Sequence, residues 1–293
     1  MNPEKEKWIL LIVLTLIWGS SFILIKKGLE HFDPYQVGAL RVLIAGVLLS
    51  PLAIIHRKKF PRKRIKWLVL AAFSGNFIPM FLFPIAETQI SSSVAGIINS
   101  MMPIFVIIVG GLFWKSATTG RQILGVSISF SGACLLMLGS QGETGIKFFP
   151  ILLLLIATFL YAISMTTVKA KLNDISSQVL SGFVFFYVLF LPSLLALIST
   201  GFFGEFKGTS SEFLGLGYVS LLSIFGTGLA MLLNYRLLKI SSPLFASTVT
   251  LLMPIVAVLW GFLDGERLTA IQFTGGLIII GGLIFLRSKP IKR

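Results

Sequence analysis

Long apolar stretches alternate along this chain with short polar connections. An α-helix needs about 20 consecutive apolar residues to cross the hydrocarbon core of a bilayer. Ten windows meet that requirement: 8–28, 34–55, 65–86, 91–114, 120–139, 148–168, 177–199, 213–237, 242–263 and 268–287. Because the bilayer core offers no water to pair with backbone groups, runs of this length are predicted to be helices. The pattern predicts an all-α integral membrane protein with ten transmembrane helices.

The composition supports lipid as the main solvent of the folded chain. Hydrophobic residues fill 55% of the 293 positions and charged residues only 12%, whereas a soluble domain carries about 25% charged residues. The first window follows Lys5 and Lys7 and could be mistaken for a signal peptide. It is longer than the apolar core of a usual signal peptide and nine similar windows follow it, so we interpret it as a transmembrane span.

Basic residues are concentrated in every second connection. With the N-terminus in the cytoplasm, the inner segments carry 19 of the 25 lysines and arginines, the outer segments carry 5, and Arg41 lies within the second window. This bias predicts a multi-pass protein of the plasma membrane with both termini in the cytoplasm. The net charge of +14 does not indicate nucleic-acid binding, because the basic residues form no single patch. The predicted partners are the lipid bilayer and a small-molecule substrate.

Part of the first half recurs in the second half at an offset of 151 positions. Met102-Pro103-Ile104 matches Met253-Pro254-Ile255, and the surrounding matches pair Gly110 with Gly261, Leu112 with Leu263 and Gly125 with Gly276. A repeat unit of five spans is odd, so the second copy enters the membrane from the opposite side. We therefore predict two inverted five-helix repeats, 1–142 and 146–289, the architecture of many secondary transporters.

Several short motifs carry a resemblance to a known family. They include Trp18-Gly19-Ser20-Ser21-Phe22, Ile85-Ala86-Glu87-Thr88-Gln89, Ser241-Ser242-Pro243 and Gly265-Glu266-Arg267-Leu268. In order and spacing the chain resembles the EamA-type branch of the drug/metabolite transporter superfamily over almost its whole length. The resemblance implies that spans one to four and six to nine surround a central cavity, with spans five and ten outside. It also implies transport, often export, of amino acids, nucleotide-related metabolites or toxic amphiphiles.

The chain departs from the family pattern in one place. The Gly-Glu-Arg element after span nine is often echoed after span four, where this chain has Trp114-Lys115-Ser116. A role that needs a matched acidic residue in both halves is therefore not expected. We interpret Glu266 as a residue that caps or orients a helix junction rather than one that binds substrate.

Polar side chains at mid-membrane depth are costly and are therefore candidates for function. The candidates for a substrate cavity are Trp18, Ser21, Asn76, Asn99, Ser100, Tyr161, Ser164, Thr248, Asn234 and Tyr235. Each also has a structural interpretation. Small residues allow helices to approach closely, a polar group beside a proline can satisfy a freed carbonyl, and tyrosine often lies at the membrane interface.

Pro103 and Pro254 are predicted to break spans four and nine. Paired breaks in equivalent halves are the best sequence indicator of a transport site. Arg41 could form an ion pair, cap a helix end, or contact a carboxylate or phosphate through its planar guanidinium. Glu87 could be the charge partner of Arg41, a proton-coupling carboxylate or a solvated residue.

The pattern favours a secondary transporter of small metabolites such as amino acids, with export as the favoured direction. An importer or exchanger of nucleotide-like or amphiphilic solutes is the alternative. No Walker A pattern is present, and no His-Glu-x-x-His, paired-aspartate or Ser-His arrangement suggests an intramembrane enzyme. A channel would need a selectivity ring, which is not visible. We therefore predict a protein that is not an enzyme.

The sequence suggests neither a cofactor nor a metal site. The single cysteine, Cys134, lies within an apolar run and cannot form a thiolate cluster or an internal disulfide. Glycines recur at heptad spacing in spans five and ten, at Gly125, Gly132, Gly275 and Gly282. This spacing favours close helix packing, either within one chain or between two copies in a homodimer.

Overall fold

The chain folds into a helical bundle in the computed structural model, which describes residues 2–90, 92–138, 148–263 and 269–286. We label its segments α1 to α10. Their bounds are α1 Pro3–Leu29, α2 Pro34–Ile55, α3 Arg62–Glu87, α4 Ser92–Asn99 with Met102–Trp114, α5 Gly120–Leu138, α6 Phe148–Lys171, α7 Ser177–Ser199, α8 Ser210–Ile240, α9 Pro243–Ser247 with Val249–Leu263, and α10 Ala270–Leu286. The described residues contain no strand, so the all-α prediction is confirmed.

Within the described part of the chain, six segments are long and apolar enough to cross a membrane, judged by length and composition: α1, α2, α3, α6, α7 and α8. Shorter apolar helices run over Met102–Trp114, Pro243–Val256 and Phe273–Phe285. Large apolar side chains cover the outside of the bundle, among them those of Ile55, Leu112, Phe113, Phe148, Leu191, Phe273 and Ile284. An apolar exterior of this extent suits contact with lipid rather than with water.

The starts of α2 and α8 are fixed by side chains that pair with free backbone N–H groups. Asp33 accepts hydrogen bonds from the backbone N–H groups of Tyr35 and Gln36, at 2.7 and 3.0 Å, and Pro34 occupies the first helical turn. Thr209 and Glu212 form the equivalent capping box at the start of α8. Such caps satisfy donors that have no partner within the helix. Both starts are therefore defined by local sequence.

Three of the long segments contain a stretch of π-helix. These stretches are Phe73–Phe77 in α3, Phe183–Leu189 in α7 and Ile224–Leu229 in α8. A π-helical turn widens the helix and displaces the usual hydrogen bonds, and such turns are frequent at functional sites. The stretches in α3 and α8 each contain a glycine that lines the cavity described below, Gly75 and Gly226.

Ion pairs hold together one end of the bundle, which we call the N-terminal face. Arg236 of α8 donates to both carboxylate oxygens of Glu6 in α1, at 2.6 and 2.9 Å. Arg64, at the start of α3, donates to Asp174 in the connection before α7 and to the Lys171 carbonyl. The Arg64 guanidinium lowers the pKa of the Asp174 carboxyl below its ordinary value. Both ion pairs join the first half of the chain to the second.

Apolar packing holds together the opposite end of the bundle. A separate buried cluster joins the α1–α2 connection and the start of α2 to α7, α8 and the short helix Phe202–Glu205. Its members are Phe32, Val37, Ala39, Leu40, Leu197, Phe202 and Val219. Beside it, His31 and Ser211 share a hydrogen bond of 2.9 Å. The two halves of the chain are therefore in contact at both ends of the bundle.

Helices α5 and α10 pack against each other through glycines. A Cβ atom at Gly132 would lie 2.8 Å from the carbonyl oxygen of Gly275, and one at Gly282 would lie 2.6 Å from the backbone nitrogen of Ser129. The Ser129 hydroxyl also donates to the Ile279 carbonyl at 3.1 Å. The sequence left open whether these glycines pack within one chain or between two copies. In this structure they pack within one chain.

Candidate functional site

A cavity lies in the middle of the bundle and receives side chains from both halves of the chain. Its empty volume is about 820 Å³, including the space at its mouth. Residues of α1, α2, α3, α4, α6, α8 and α9 line it, whereas the described side chains of α5, α7 and α10 do not. A space lined mainly by apolar side chains with a few polar groups is typical of a small-molecule site.

Eight of the residues singled out from the sequence line this cavity. They are Trp18, Ser21, Arg41, Asn99, Tyr161, Ser164, Asn234 and Tyr235. Six others do not line it: Asn76, Glu87, Ser100, Pro103, Thr248 and Pro254. Glu266 lies outside the residues that the structure describes. The structure therefore brings together most, but not all, of the predicted set.

Trp18 joins α1 to the π-helical stretch of α8. Its indole Nε1 donates a hydrogen bond of 2.9 Å to the Gly226 carbonyl. A Cβ atom at Gly226 would lie 2.7 Å from the Ser21 hydroxyl, so only glycine leaves room for this close approach. Trp18 and Ser21 therefore line the cavity and also hold α1 against α8.

Among the described residues that line the cavity, Arg41 alone carries a formal charge. The side chain is buried, with 6% of its surface exposed, and its Nε donates to the Thr227 hydroxyl at 2.7 Å. Thr227 belongs to the same π-helical stretch that accepts the Trp18 hydrogen bond. Among the described residues, no carboxylate lies within ion-pair distance of Arg41.

Among the described residues, Glu87 is therefore not a direct ion-pair partner of Arg41, which was one of the three roles that the sequence left open for it. Glu87 lies at the end of α3 and faces the start of α4, where one carboxylate oxygen accepts a hydrogen bond of 3.0 Å from Ser92. Its other oxygen is buried without a hydrogen-bond partner. The two charges interact electrostatically at longer range. Arg41 instead forms its one side-chain hydrogen bond with Thr227.

Helices α4 and α9 meet at a point where their backbones are linked by a hydroxyl. The single hydroxyl proton of Ser100 is shared between two carbonyl oxygens, that of Gly96 in its own helix at 2.8 Å and that of Thr250 in α9 at 3.0 Å. Thr250 lies four residues before Pro254, which has no N–H to offer it. Ser100 thus satisfies a carbonyl that the proline leaves free, although it does not face the cavity.

This contact explains why one of the two predicted helix breaks is misplaced. Helix α4 is interrupted between Asn99 and Met102, directly before Pro103, as predicted. Helix α9 is interrupted at Thr248 instead, and Pro254 lies inside the continuous stretch Val249–Leu263. The stretch tolerates the proline because its freed carbonyl is bonded to Ser100.

Four polar side chains in this region have buried atoms without a hydrogen bond. They are Asn76, Asn99, Asn234 and Tyr235. Asn76 is fully buried and faces the Tyr235 hydroxyl, although no hydrogen bond of good geometry joins them. The amide nitrogen of Asn99 lies 3.7 Å from the Met253 sulfur. Because buried polar atoms are normally paired, the unpaired atoms of the three that line the cavity, Asn99, Asn234 and Tyr235, can bind a solute or water.

The sequence interpretation missed the largest group of lining residues, the methionines. Five of the eight methionines line the cavity: Met80, Met102, Met165, Met231 and Met253. Within an apolar window a methionine is not distinguishable from a packing residue. The repeat held the missing signal, because Met80 and Met231, like Met102 and Met253, stand 151 positions apart. Methionine is flexible and polarizable, so it adapts to solutes of different shape.

Comparison with known proteins identifies the family. The profile of the EamA-like transporter family matches residues 6–138 and matches again over 148–288. The chain belongs to the EamA-like transporter family. Members of the EamA-like family are transporters, so the chain is a membrane transporter and not an enzyme.

Named relatives agree with this assignment. The Escherichia coli K12 inner membrane transporter YedA is 28% identical, over 95% of this chain and 90% of its own length. A Chlamydia muridarum S-adenosylmethionine/S-adenosylhomocysteine transporter is 25% identical, over 96% and 90%. A probable amino-acid metabolite efflux pump of Salmonella typhimurium is 25% identical, over 96% and 94%. One solved structure aligns with a TM-score of 0.74 at 16% identity, covering 97% of this chain and 96% of that one, so it has the same fold.

Proposed function

We propose that this EamA-like protein is a secondary exporter of small metabolites such as amino acids or related compounds. It acts by alternating access around the central cavity, in a fold of ten transmembrane helices built as two inverted five-helix repeats. Its termini lie in the cytoplasm and the cavity opens to each side of the plasma membrane in turn. The single observation that carries the proposal is a cavity lined by matched residues of both halves.

The matched residues follow the 151-position offset through the cavity wall. The pairs are Gly75 with Gly226, Met80 with Met231, Phe83 with Asn234, Asn99 with Thr250, and Met102 with Met253, and all ten residues line the cavity. The π-helical stretches in α3 and α8 also begin at positions separated by this offset. If the two halves are inverted copies, their equivalent residues can pack in two similar arrangements. In one arrangement the cavity is open to one side of the membrane, and in the other it is open to the opposite side.

Contacts at the two ends of the bundle fit the same mechanism. Ion pairs join the halves at the N-terminal face, and an apolar cluster joins them at the opposite face. Alternating access requires these two sets of contacts to open one at a time. We propose that the N-terminal face is cytoplasmic, in agreement with the concentration of lysine and arginine in the connections assigned to it.

The inverted arrangement predicts that two equivalent connections lie on opposite sides of the membrane. Cys134 is the only cysteine, so Cys134→Ala gives a cysteine-free background. Lys58→Cys then marks the α2–α3 connection and Gly204→Cys marks the α7–α8 connection, and both positions are exposed. A membrane-impermeant maleimide added to intact cells is expected to label Cys at position 204 and not at position 58.

Opening the cells provides the control, because both positions should then react. Labelling of both positions, or of neither, in intact cells would show that the two connections share one side. The repeats would then be parallel, and the inverted mechanism would be wrong.

The carrier function predicts saturable flux across a membrane that contains only this protein. Purified protein in liposomes should take up a labelled solute drawn from an amino-acid and nucleoside panel. Unlabelled solute inside the liposomes should accelerate uptake by counterflow, because the solute-loaded cavity reorients in both directions. Uptake into protein-free liposomes gives the background flux. Flux that rises linearly with concentration and shows no counterflow would indicate a channel and contradict the proposal.

The alternative, import or exchange of nucleotide-like solutes, is favoured by one specific observation, the relationship to an S-adenosylmethionine/S-adenosylhomocysteine transporter. The same liposomes distinguish the two proposals. Preferential counterflow by the nucleoside members of the panel would support the alternative, and preferential counterflow by the amino-acid members would support the first proposal.

A further inference from the structure

The charge distribution of the cavity wall restricts the solutes that it can bind. Arg41 contributes one positive charge, and no Asp or Glu is present among the described residues that line the cavity. Most of the remaining wall is apolar, with five methionines and several aromatic rings. An unpaired charge in surroundings of this kind is costly unless it meets an opposite charge.

The guanidinium of Arg41 is positioned to meet that opposite charge. Thr227 accepts the hydrogen bond from Nε and holds the planar group in one orientation. The N–H groups on the two terminal nitrogens have no partner among the residues that the structure describes. Two parallel N–H donors at the end of a guanidinium match the two oxygens of a carboxylate.

Other ligand charges fit less well. A phosphate dianion would leave one negative charge uncompensated in an apolar cavity. A free ammonium group would cancel the net negative charge of the solute and leave Arg41 uncompensated, and Glu87 does not line the cavity. Glu87 acts on Arg41 only at longer range. A solute with one carboxylate and no free ammonium group carries the single negative charge that neutralises Arg41.

The second polar region lies nearer the N-terminal face. Arg41 is about two turns from the start of α2, at the opposite face, whereas Asn234 and Tyr235 are within two turns of the end of α8. Both of these side chains have a buried polar atom without a hydrogen bond. Methionines such as Met80 and Met231 form part of the wall of the same cavity.

We propose that the solute is a carboxylate monoanion with an apolar body, and that Arg41 binds its carboxylate. This inference rests on the proposed transport function and narrows its substrate class from amino acids and related compounds to those related compounds that lack a free ammonium group. An acylated amino acid or an arylalkanoate has this chemistry, and a zwitterionic amino acid does not. A polar group at the far end of the solute would meet Asn234 and Tyr235.

The test compares carboxylates with their own uncharged amides, so that the apolar body is the same within each pair. The probes are N-acetylleucine with N-acetylleucinamide, phenylacetate with phenylacetamide, and indole-3-acetate with indole-3-acetamide. Leucine is included as a zwitterionic probe and leucinamide as a cationic probe. Binding to the purified full chain in nanodiscs is measured by equilibrium dialysis of the labelled probe at neutral pH.

The expected result is that at least one carboxylate binds about tenfold or more tightly than its amide, because charge-assisted hydrogen bonds are lost with the charge. Arg41→Gln should remove that preference, and Arg41→Lys should retain part of it. The comparison of each carboxylate with its amide in the unaltered protein tests the proposal even if a variant folds poorly. Equal binding within every pair, tighter binding of an amide or of leucinamide, or no binding of any carboxylate would overturn the proposal.

Transport in the same preparation separates this inference from the proposed function. Saturable counterflow of leucine or leucinamide without binding of any carboxylate would leave the carrier function in place and overturn the anion preference. Carboxylate binding that depends on Arg41, without counterflow of any probe, would support the anion site and contradict the carrier function.

Discussion

Replacing Asn99 by leucine is expected to abolish transport and to leave membrane insertion intact. Asn99 is buried, with 5% of its surface exposed, and it lines the cavity at the last residue before the interruption of α4. One atom of its side-chain amide has no hydrogen-bond partner, and the other makes only a weak contact with the Met253 sulfur. Leucine has a similar size but cannot form a hydrogen bond with a solute.

The loss should appear in the flux measurement in liposomes, with insertion checked by the protein yield in membranes. Thr158→Val is the matched control, since Thr158 is equally buried and polar but its hydroxyl bonds to the Leu154 carbonyl and it does not line the cavity. This variant should transport normally. Normal flux in Asn99→Leu would remove Asn99 from the transport site.

The helices were predictable because their signal is local. An apolar window of about 20 residues needs no partner in order to be recognised, and each of the ten predicted windows coincides with a helical segment of the described chain. The capping box at Asp33 is local in the same way. Six of these segments satisfy the length and composition of a membrane span within the described residues, whereas the number of crossings and their direction stay predictions.

The residues that line the cavity were only partly predictable, because which side chains line it depends on how the helices pack together. Polar residues within apolar windows, such as Asn99 and Asn234, were identified by their cost in lipid. Thr227 was not identified, although it fixes Arg41, because a threonine in a helix is usually satisfied by its own backbone. The methionines gave no polar signal at all, and only the repeat offset distinguishes Met80 and Met231.

The misplaced break at Pro254 has a long-range cause. Proline rules consider the helix alone and predict a break wherever a carbonyl loses its donor. Here the donor comes from another helix, since Ser100 bonds to the Thr250 carbonyl across the contact between α4 and α9. Arg41 and Glu87 likewise form no direct ion pair among the described residues. Opposite charges at similar depth need not meet when each has a nearer partner, Thr227 and Ser92.

Replacing Gly282 by alanine is expected to lower the free energy of unfolding by about 2–3 kcal/mol, at the upper end of the usual cost of overpacking. The added methyl group would lie 2.6 Å from the Ser129 backbone nitrogen and 2.7 Å from the Gly125 carbonyl oxygen. Backbone atoms cannot rotate away as a flexible side chain can, so α10 must move away from α5. The measurement is unfolding of the purified protein in detergent by titration with sodium dodecyl sulfate.

The neighbouring glycine supplies the control on the same helix. A Cβ atom at Gly281 would meet nothing within 4 Å, so Gly281→Ala should leave stability unchanged or raise it by up to about 1 kcal/mol through its better helix propensity. Because α5 and α10 contribute no lining residue to the cavity, the Gly282→Ala protein that remains folded should bind solute with unchanged affinity. Equal stability of the two variants would contradict the close contact between α5 and α10.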